Sequence, residues 1–169
     1  MKLIHLSGIE RYLKTSKNSN IILSWNQNND YFKHFKKKEI FYVSNVWQKN
    51  KFKIKNKVIK LRKKILPQLK KQLNLINKIN YSKKEWEILL EPWLFFYLYS
   101  MYFRWIVINK LISKYKNFRY FEIKTKKNIP FFDTLQYAEL IINDDVYNHL
   151  LLQDILRFKK ITKGKIKTN

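Results

Sequence analysis

Residues 82–105 read SKKEWEILLEPWLFFYLYSMYFRW, and this stretch decides the fold of the chain. Ser82 and Glu85 have the spacing of a capping box, in which each side chain accepts a backbone N–H at a helix start. Tyr81 and Trp86 flank this cap at the spacing of a hydrophobic staple. We therefore predict a helix that begins at Ser82. Its apolar residues recur at helical spacing: Trp86, Leu89, Leu90, Trp93, Tyr97, Met101, Ile108, Leu111, Ile112 and Tyr115.

The middle of this helix is apolar on nearly all sides, from Pro92 to Phe103. Arg104 ends the apolar run and Glu91 precedes it, whereas a membrane-spanning helix needs roughly 20 apolar residues with few charges. We therefore predict a central, buried helix, bent near Pro92, rather than a membrane span. The start of the chain also lacks the long apolar stretch of a secretory signal.

The residues before this helix predict one more helix and two strands. Apolar residues recur at helical spacing from Lys55 to about Ile79, and the other faces are Lys, Gln and Asn. This pattern is typical of an amphipathic helix with a solvated basic face, kinked or split at Pro67. Short β-branched runs at residues 20–25 and Ile40–Val43 predict two buried parallel strands.

The residues after this helix predict a third strand and two further helices. The alternating segment RYFEIK, residues 119–124, has the period of a strand. Asp133 is placed to cap one helix, and the polar segment Asn143–Asp145 interrupts that helix and can cap the next. Short strands that alternate with long helices predict a helix-dominated α/β fold with a small, mostly parallel, Rossmann-like sheet. We expect one domain over residues 1–158, followed by a basic, disordered tail over 159–169.

The composition excludes several kinds of site. The chain has no cysteine, which excludes disulfides, thiolate metal sites and cysteine catalysis. Its only two glycines are Gly8 and Gly164, so no glycine-rich phosphate loop can be written. The histidines do not combine with carboxylates at the spacing of a three- or four-ligand metal site. We therefore predict neither a metal nor a cofactor.

The net charge of +24 has two competing explanations. One is an anionic partner, such as nucleic acid or acidic lipid. The other is codon bias, because the chain is rich in Lys, Asn, Ile, Phe and Tyr, which A/T-rich codons specify. Only five of the 36 basic residues are arginines, although arginine suits the recognition of phosphate and base edges better than lysine does. The sequence leaves both explanations open.

Arg104 is the first candidate site residue, since it shares a helix face with Trp93 and Tyr97. A guanidinium in a buried aromatic stripe must be paired, stacked on a ring or open to a cavity. One interpretation is a buried ion pair, or a stack on a Tyr or Trp ring, that fixes helix packing. The other is a contact to a phosphate or carboxylate at the bottom of a cleft.

Asp145 and His149 form the second candidate constellation, because residues four apart share a helix face. His149 could act as a general base oriented by Asp145, or the pair could be a helix cap with a packed histidine. Trp25, next to an Asn-rich loop, could stack on a sugar or base, or could lie at the rim of the core. His5 offers less, since no carboxylate is close to it in the sequence.

Residues 73–105 resemble the hallmark segment of transferases of bacterial surface-carbohydrate biosynthesis. That family has a pattern close to LN-x-I-H-x-x-x-x-S-x-x-x-W-x-I-L-L-G-P-W-L, followed by an aromatic segment that ends in Arg and an aromatic residue. It also has an acidic residue and W-N-H opening a later helix, as in Asp145–His149 here. The family's opening strand ends in a turn that contains a tryptophan, and the strand predicted at residues 20–25 here ends with Trp25. The matching positions of the first segment are Leu73, Asn74, Ile76, Ser82, Trp86, Leu89, Pro92, Trp93, Leu94 and Arg104.

Several positions depart from the family pattern. Glu91 stands where the family has glycine, Asn77 where it has histidine, and Tyr147 where it has tryptophan. The cysteine after Trp25 is missing. A family segment H-W-D-D-R is largely gone, with Trp47 as its remnant.

Members of that family resemble two-domain glycosyltransferases with paired Rossmann-like halves. The resemblance therefore implies a truncated or split N-terminal, acceptor-side domain of a surface-carbohydrate (glycosyl) transferase, lipopolysaccharide being one such carbohydrate, and this domain would be inactive alone. Its partners would be a second chain carrying the nucleotide-sugar-binding half and a carbohydrate acceptor. Separately from the resemblance, the Lys-rich faces could associate with an anionic membrane surface. We expect a cytoplasmic protein, peripheral at the inner membrane.

The resemblance also implies roles for the candidate residues. Arg104 would contact an anionic group, and Asp145 with His149 would perform acid/base work on an acceptor hydroxyl. The remaining implied substrate contacts are Trp25, Trp93, Tyr97 and Asn148. The alternative hypothesis is a small basic RNA-binding or ribosome-associated protein, driven by the charge and the abundant aromatic residues.

Overall fold

A computed structural model of the chain describes residues 2–6, 21–24, 39–124, 133–161 and 163–164. The chain divides into two compact units. The α/β unit consists of the described residues within 1–49 and 104–169, and the hairpin unit consists of residues 50–103. Our prediction of one domain over residues 1–158 stays a prediction.

The described part of the chain contains five short strands and four helices. Two long helices, α1 and α2, each have residues in both units. The described elements, in chain order, are β1 (Lys2–His5), β2 (Ile21–Ser24), β3 (Glu39–Tyr42), α1 (Val43–Asn77), α2 (Lys83–Lys114), β4 (Phe118–Phe121), α3 (Thr134–Asn143), α4 (Asp145–Phe158) and β5 (Lys163–Gly164).

The five strands form one sheet in the order β3-β2-β1-β4-β5, and all four pairings are parallel. The helix-dominated α/β prediction with a small parallel sheet is confirmed. All four residues of β2 are buried, and so are Ile4 and His5 at the end of β1, as is usual for parallel strands. The strand order changes direction between β1 and β4, because β2 and β3 lie on one side of β1 and β4 and β5 on the other.

Several elements differ from the sequence prediction, and the strand predicted at residues 119–124 lies at Phe118–Phe121. The segment Lys2–His5 forms β1, although its four residues are too few to show a pattern. The helix predicted from Lys55 already begins at Val43, directly after β3, so the strand predicted at Ile40–Val43 lies one residue earlier. Both internal prolines lie within continuous helices, so Pro67 does not split α1.

The predicted start of α2 is confirmed in detail. The Glu85 backbone N–H donates to Ser82 Oγ at 3.2 Å, and the Ser82 N–H donates to a Glu85 carboxylate oxygen at 2.6 Å. The Tyr81 and Trp86 rings meet at 5.5 Å, which is the predicted staple. Asp133 and Asp144 likewise cap α3 and α4, accepting from the third residue along at 2.8 and 2.7 Å.

The turn between α1 and α2 is held by Asn74. Its side-chain oxygen accepts from Trp86 Nε1 at 2.6 Å and from the Tyr81 backbone N–H at 3.2 Å. Its side-chain nitrogen donates to the Tyr81 carbonyl at 2.9 Å. Trp86 then packs with Leu66 and Leu94 in the core of the hairpin unit.

No helix in the described part of the chain is long and apolar enough to cross a membrane. The segment expected to be a disordered tail is described at residues 159–161 and 163–164. Within it, Lys163–Gly164 forms β5 and pairs with the end of β4, so these two residues extend the sheet by one short strand.

Candidate functional site

The carboxyl edge of the sheet is the natural place for a site in this fold. Open parallel sheets bind ligands beyond the carboxyl ends of their strands, where the strand order reverses. Here the reversal lies between β1, which ends at His5, and β4, which ends at Phe121. The neighbouring strand β2 ends at the buried Ser24. The polar side chains of His5 and Ser24 follow directly after the aliphatic residues Ile4 and Leu23.

His5, Phe121 and His149 form a compact cluster at the reversal point. The rings of His5 and Phe121 stack with their centroids 5.0 Å apart. The His149 ring packs edge-on against the Phe121 ring, with centroids 6.1 Å apart. Both imidazoles are 1% exposed. We call these three residues the His–Phe–His cluster. It joins the ends of two adjacent strands to helix α4.

The tautomer of His149 follows from its hydrogen bond. Its Nε2 lies 2.9 Å from the Phe121 carbonyl oxygen, which can only accept, so Nε2 carries the proton. Burial lowers the pKa of His149 to about 4, against the opposing effect of this carbonyl. The ring is therefore neutral at pH 7, with Nδ1 as its basic atom.

Gln153 fastens α4 to the chain that follows β4. Its side-chain oxygen accepts from the Ile123 backbone N–H at 2.9 Å, and its nitrogen donates to the Ile123 carbonyl at 3.2 Å. The amide thus pairs with the backbone as a neighbouring strand would. Together with His149, one turn earlier, it fixes the position of α4 at the end of β4.

Arg104 and Asn148 meet at the junction of α2, α3 and α4. The guanidinium, which is 1% exposed, donates to Asn148 Oδ1 and also to the Ile141 carbonyl at 3.4 Å. The Asn148 amide nitrogen donates to the carbonyls of Ile141 and Asp144 at 2.9 and 3.0 Å. We call this arrangement the α3–α4 corner. Both of these acceptors of Arg104 are uncharged oxygens, and its predicted role in helix packing stays a prediction.

Burial lowers the pKa of Arg104 to about 10, so the guanidinium still carries its charge at neutral pH. A buried cation is stabilised by strong acceptors, and the amide and carbonyl oxygens of the corner supply them. A contact between Arg104 and an anionic substrate stays a prediction.

Asp145 is the first residue of α4 and is exposed to solvent. Partial burial raises the pKa of its carboxyl group, and the charge of Asp144 raises it further. Asp144 is the residue that caps the helix, which leaves the Asp145 carboxylate outside the capping interaction. Asp145 lies one helical turn before His149, which contacts the end of β4.

The other predicted substrate contacts fall in different places. Trp93 and Tyr97 belong to the hairpin unit, where their rings stack at 5.1 Å and nearly in parallel. Trp25 lies outside the described residues. The structure therefore brings Arg104 and Asn148 together, places His149 next to the latter on α4, and stacks the two hairpin aromatics on each other. The catalytic and binding roles of all these residues stay predictions.

His5 is the residue that sequence reasoning undervalued. No carboxylate is close to it in the sequence, but its ring stacks on Phe121 of β4, more than one hundred positions away. The usable signal was a polar residue at the end of a short apolar run. Among the described residues, no group of three or more His, Cys, Asp or Glu side chains could hold a metal ion.

Two positions that depart from the family pattern have structural roles. Glu91, in place of glycine, forms an ion pair with Arg62 and so links α2 to α1 within the hairpin unit. Tyr147, in place of tryptophan, packs edge-on against Tyr137 at 6.3 Å. The matching positions Asn74, Ser82 and Trp86 close the turn between the same two helices. Much of the hallmark segment therefore specifies the hairpin.

Comparison with protein families identifies the chain. The family described as LIC12162 family transferase matches residues 2–169, which is nearly the whole sequence. The chain belongs to this transferase family. Searches of curated proteins and of solved structures gave no significant match. The resemblance predicted from the sequence is therefore confirmed for a transferase family.

Proposed function

We propose that this LIC12162-family chain is the acceptor-side domain of a glycosyltransferase of surface-carbohydrate biosynthesis, with its acceptor site at the carboxyl edge of the sheet. The observation that carries the proposal is the His–Phe–His cluster at the strand-order reversal of a transferase-family chain. Ligand sites of open parallel sheets lie at such reversals. A saccharide suits this edge because Asp145, exposed one helical turn before the buried His149, carries a carboxylate that can accept from a sugar hydroxyl.

Asp145 is the general base in this proposal. The acceptor hydroxyl oxygen forms a bond to the anomeric carbon of a nucleotide-sugar while the bond from that carbon to the phosphate oxygen breaks. The nucleotide phosphate leaves with the bonding electron pair, and the hydroxyl proton passes to the Asp145 carboxylate. A raised pKa makes this carboxylate a better proton acceptor than an ordinary aspartate.

His149, Arg104 and Asn148 position the base. The His149 ring binds the end of β4 through Nε2, and its lowered pKa makes it a weak proton acceptor at pH 7. Arg104 is buried beneath the α3–α4 corner, so this proposal assigns it to holding Asn148 rather than to direct contact with an anion. Trp25, the residue after Ser24 in the sequence, keeps its proposed role in stacking on the acceptor.

The nucleotide-sugar is bound elsewhere in this proposal, by a half that is not contained in the 169 residues. The sequence supports this, since its two glycines cannot form a glycine-rich phosphate loop. We accordingly expect no sugar transfer by the 169-residue chain alone. Nothing in the described residues favours the alternative of an RNA-binding protein over the transferase assignment.

Calorimetric titration tests the proposal. The purified chain is titrated with a lipopolysaccharide core oligosaccharide and, separately, with UDP-glucose and GDP-mannose. We expect the oligosaccharide to bind and the two nucleotide-sugars not to bind. Binding of either nucleotide-sugar, transfer of its sugar by the chain alone, or absence of oligosaccharide binding would contradict the acceptor-side assignment.

A matched pair of variants tests the role of Asp145. D145N should weaken oligosaccharide binding by about tenfold, because a charged acceptor of the sugar hydroxyl is lost. D154N is the control, since Asp154 is an exposed carboxylate on the same helix that pairs with Arg157. An equal effect of the two substitutions would refute the assigned role.

A further inference from the structure

Helix α1 carries an unusual charge distribution within the hairpin unit. Its residues 50–77 contain nine lysines and one arginine but no aspartate or glutamate. A solvated helix ordinarily alternates charges of both signs, because pairs three or four residues apart stabilise it. This part of α1 instead carries only positive charges, so adjacent lysines repel one another unless a partner neutralises them.

Five of these lysines lie on one face of α1. Lys53, Lys57, Lys60, Lys64 and Lys71 are spaced by four, three, four and seven residues, which returns to the same side of a helix each time. All five are exposed, while Ile54 and Val58, on another face, are fully buried. We call the five residues the lysine stripe. It runs for about 27 Å along the helix at 1.5 Å per residue.

The lysine stripe has no carboxylate partner in the described part of the chain. The ion pairs there join other residues, and none includes a stripe ammonium group. The single arginine of this part of α1, Arg62, pairs with Glu91. The available cations are therefore lysines only. Lysine is a point charge that suits a diffuse anionic surface, whereas bidentate reading of phosphates or bases favours arginine.

Large apolar side chains are exposed at both ends of the lysine stripe. Leu75 follows Lys71 by one helical turn on the same side and is 74% exposed. Phe52 directly precedes Lys53 in the sequence and is 72% exposed. Basic residues combined with exposed aromatic and aliphatic residues on one helix are typical of helices that lie at a membrane interface.

We propose that the lysine stripe binds the surface of an anionic lipid bilayer, with Leu75 and Phe52 entering the headgroup region. The lysines would neutralise acidic headgroups, and the two apolar side chains would leave water at the same time. An RNA partner is disfavoured by the engagement of Arg62 and by the exposed leucine, which has no role in binding phosphates. This inference is independent of the proposed transferase site, which lies in the α/β unit.

Vesicle flotation tests the charge requirement. The full chain is mixed with vesicles of phosphatidylcholine alone or with about 30% phosphatidylglycerol, at salt concentrations from about 0.05 to 0.5 M, where the Debye length falls from over 10 Å to under 5 Å. We expect flotation only with phosphatidylglycerol and its loss at high salt. Flotation with both vesicle types, or with neither, would overturn the proposal.

Two charge-matched variants place the binding on α1. K53Q/K57Q/K60Q/K64Q should lower the partition coefficient by about 600-fold, since each lysine near an anionic surface contributes about fivefold. The control K110Q/K116Q/K124Q/K160Q removes the same charge from exposed lysines of the α/β unit. We expect a much smaller loss, from net charge alone. Equal losses of vesicle binding in the two variants would mean that only net charge matters, and would refute the assignment of the membrane-binding surface to the lysine stripe.

A second pair of variants tests the apolar contribution. F52Q/L75Q should lower binding by at least about tenfold at each salt concentration at which the wild-type protein still binds, because the burial of apolar area is not screened by salt. L135Q/I142Q is the control, since these two side chains are each 70% exposed in the α/β unit. If F52Q/L75Q bound vesicles like the control, the membrane orientation would be wrong.

Two competing partners are measured in the same preparations. Binding of a single-stranded RNA oligonucleotide more tightly than phosphatidylglycerol vesicles, with loss in the stripe variant, would replace the membrane by RNA and overturn the proposal. Self-association in sedimentation equilibrium that L75Q abolishes would assign the apolar side chain to a second copy, and would overturn it as well. A monomer with weaker RNA binding is the expected result.

Discussion

Arg104 donates a hydrogen bond to Asn148, a residue 44 positions later in the chain. The two residues belong to the two separate segments that resemble the surface-carbohydrate transferases, so the structure joins both segments at one buried point. Asn148 also binds the carbonyls of Ile141 and Asp144 and thereby closes the α3–α4 corner. The charge of Arg104 is thus accommodated by polar groups of the following two helices.

Asn148→Ala should destabilise the protein by about 3 kcal/mol, because it removes the acceptor of a buried cation and two further hydrogen bonds. Urea unfolding measures the change in the free energy of unfolding. Asn143→Ala is the control, since Asn143 is exposed at the end of α3. If both variants unfolded at the urea concentration of the wild-type protein, the α3–α4 corner would contribute no stability.

His149 should make the stability fall with acid. Burial lowers its pKa in the folded state to about 4, from 6.5 for a solvated histidine. As the pH falls below about 6.5, His149 therefore binds a proton in the unfolded chain but stays neutral in the folded chain. The contribution of neutral His149 to the free energy of unfolding is fully present above about pH 6.5. It is lost, by up to about 3 kcal/mol, as the pH falls towards 4.

The comparison with H149Q isolates this effect. Glutamine can still donate to the Phe121 carbonyl but does not titrate. Unfolding by urea at pH 7 and pH 4.5 should show a smaller loss of stability in H149Q than in the wild-type protein. Equal losses would mean that His149 titrates like a solvated histidine.

Glu39 should keep its charge in unusually acidic solution. Its carboxylate accepts from Lys114 Nζ at 2.7 Å and from the Tyr115 hydroxyl at 2.5 Å, and it also pairs with Lys2. These partners, Lys114 first, lower the pKa of Glu39 to about 2. The carboxylate is more than one third exposed, so solvent screens much of the stabilisation.

The pKa of Glu39 can be measured by NMR titration of its side-chain carboxyl carbon. In K114Q the pKa should rise towards the ordinary glutamate value, whereas K110Q should leave it unchanged. The stability that this carboxylate provides is present at neutral pH and disappears only as the pH falls towards 2. A wild-type pKa near 4.5 would refute the arrangement.

Asn74→Ala should loosen the hairpin unit. It removes the acceptor of Trp86 Nε1 and both contacts to the Tyr81 backbone, with an expected cost of about 2 kcal/mol. Hydrogen exchange of amides in residues 74–86 measures the effect. Asn80→Ala is the control, because Asn80 is an exposed residue of the same turn. Similar exchange in both variants would show that Asn74 does not hold the turn.

The helix of residues 83–114 could be predicted because its signals are local. The capping box and the staple lie within a few positions of each other, and the structure reproduces both. The predicted apolar stripe is reproduced only in part, because Leu89 is 58% exposed. The polar caps at Asp133 and Asp144 were predictable for the same reason. Strand β1 escaped prediction because four residues are too few to show a period, and its partners are distant in sequence.

The candidate site was only partly predictable. His149 and Asp145 could be found from their spacing on one helix. The contact of His149 with Phe121, and that of Phe121 with His5, depend on strand order, which no local pattern encodes. The lowered pKa of His149 likewise follows from burial in the folded chain. The sequence suggested a histidine supported by aspartate, whereas the structure shows its Nε2 held by a backbone carbonyl.

The central claim is that the carboxyl edge of the sheet binds a carbohydrate acceptor, and NMR of the histidine imidazole nitrogens tests it most directly. Titration with the lipopolysaccharide core oligosaccharide should shift the signals of His5 and His149 in a saturable way. The indole N–H of Trp86, which is held by Asn74 in the hairpin unit, should not move. Saturable binding that shifts the Trp86 signal but leaves both imidazoles unchanged would contradict the account.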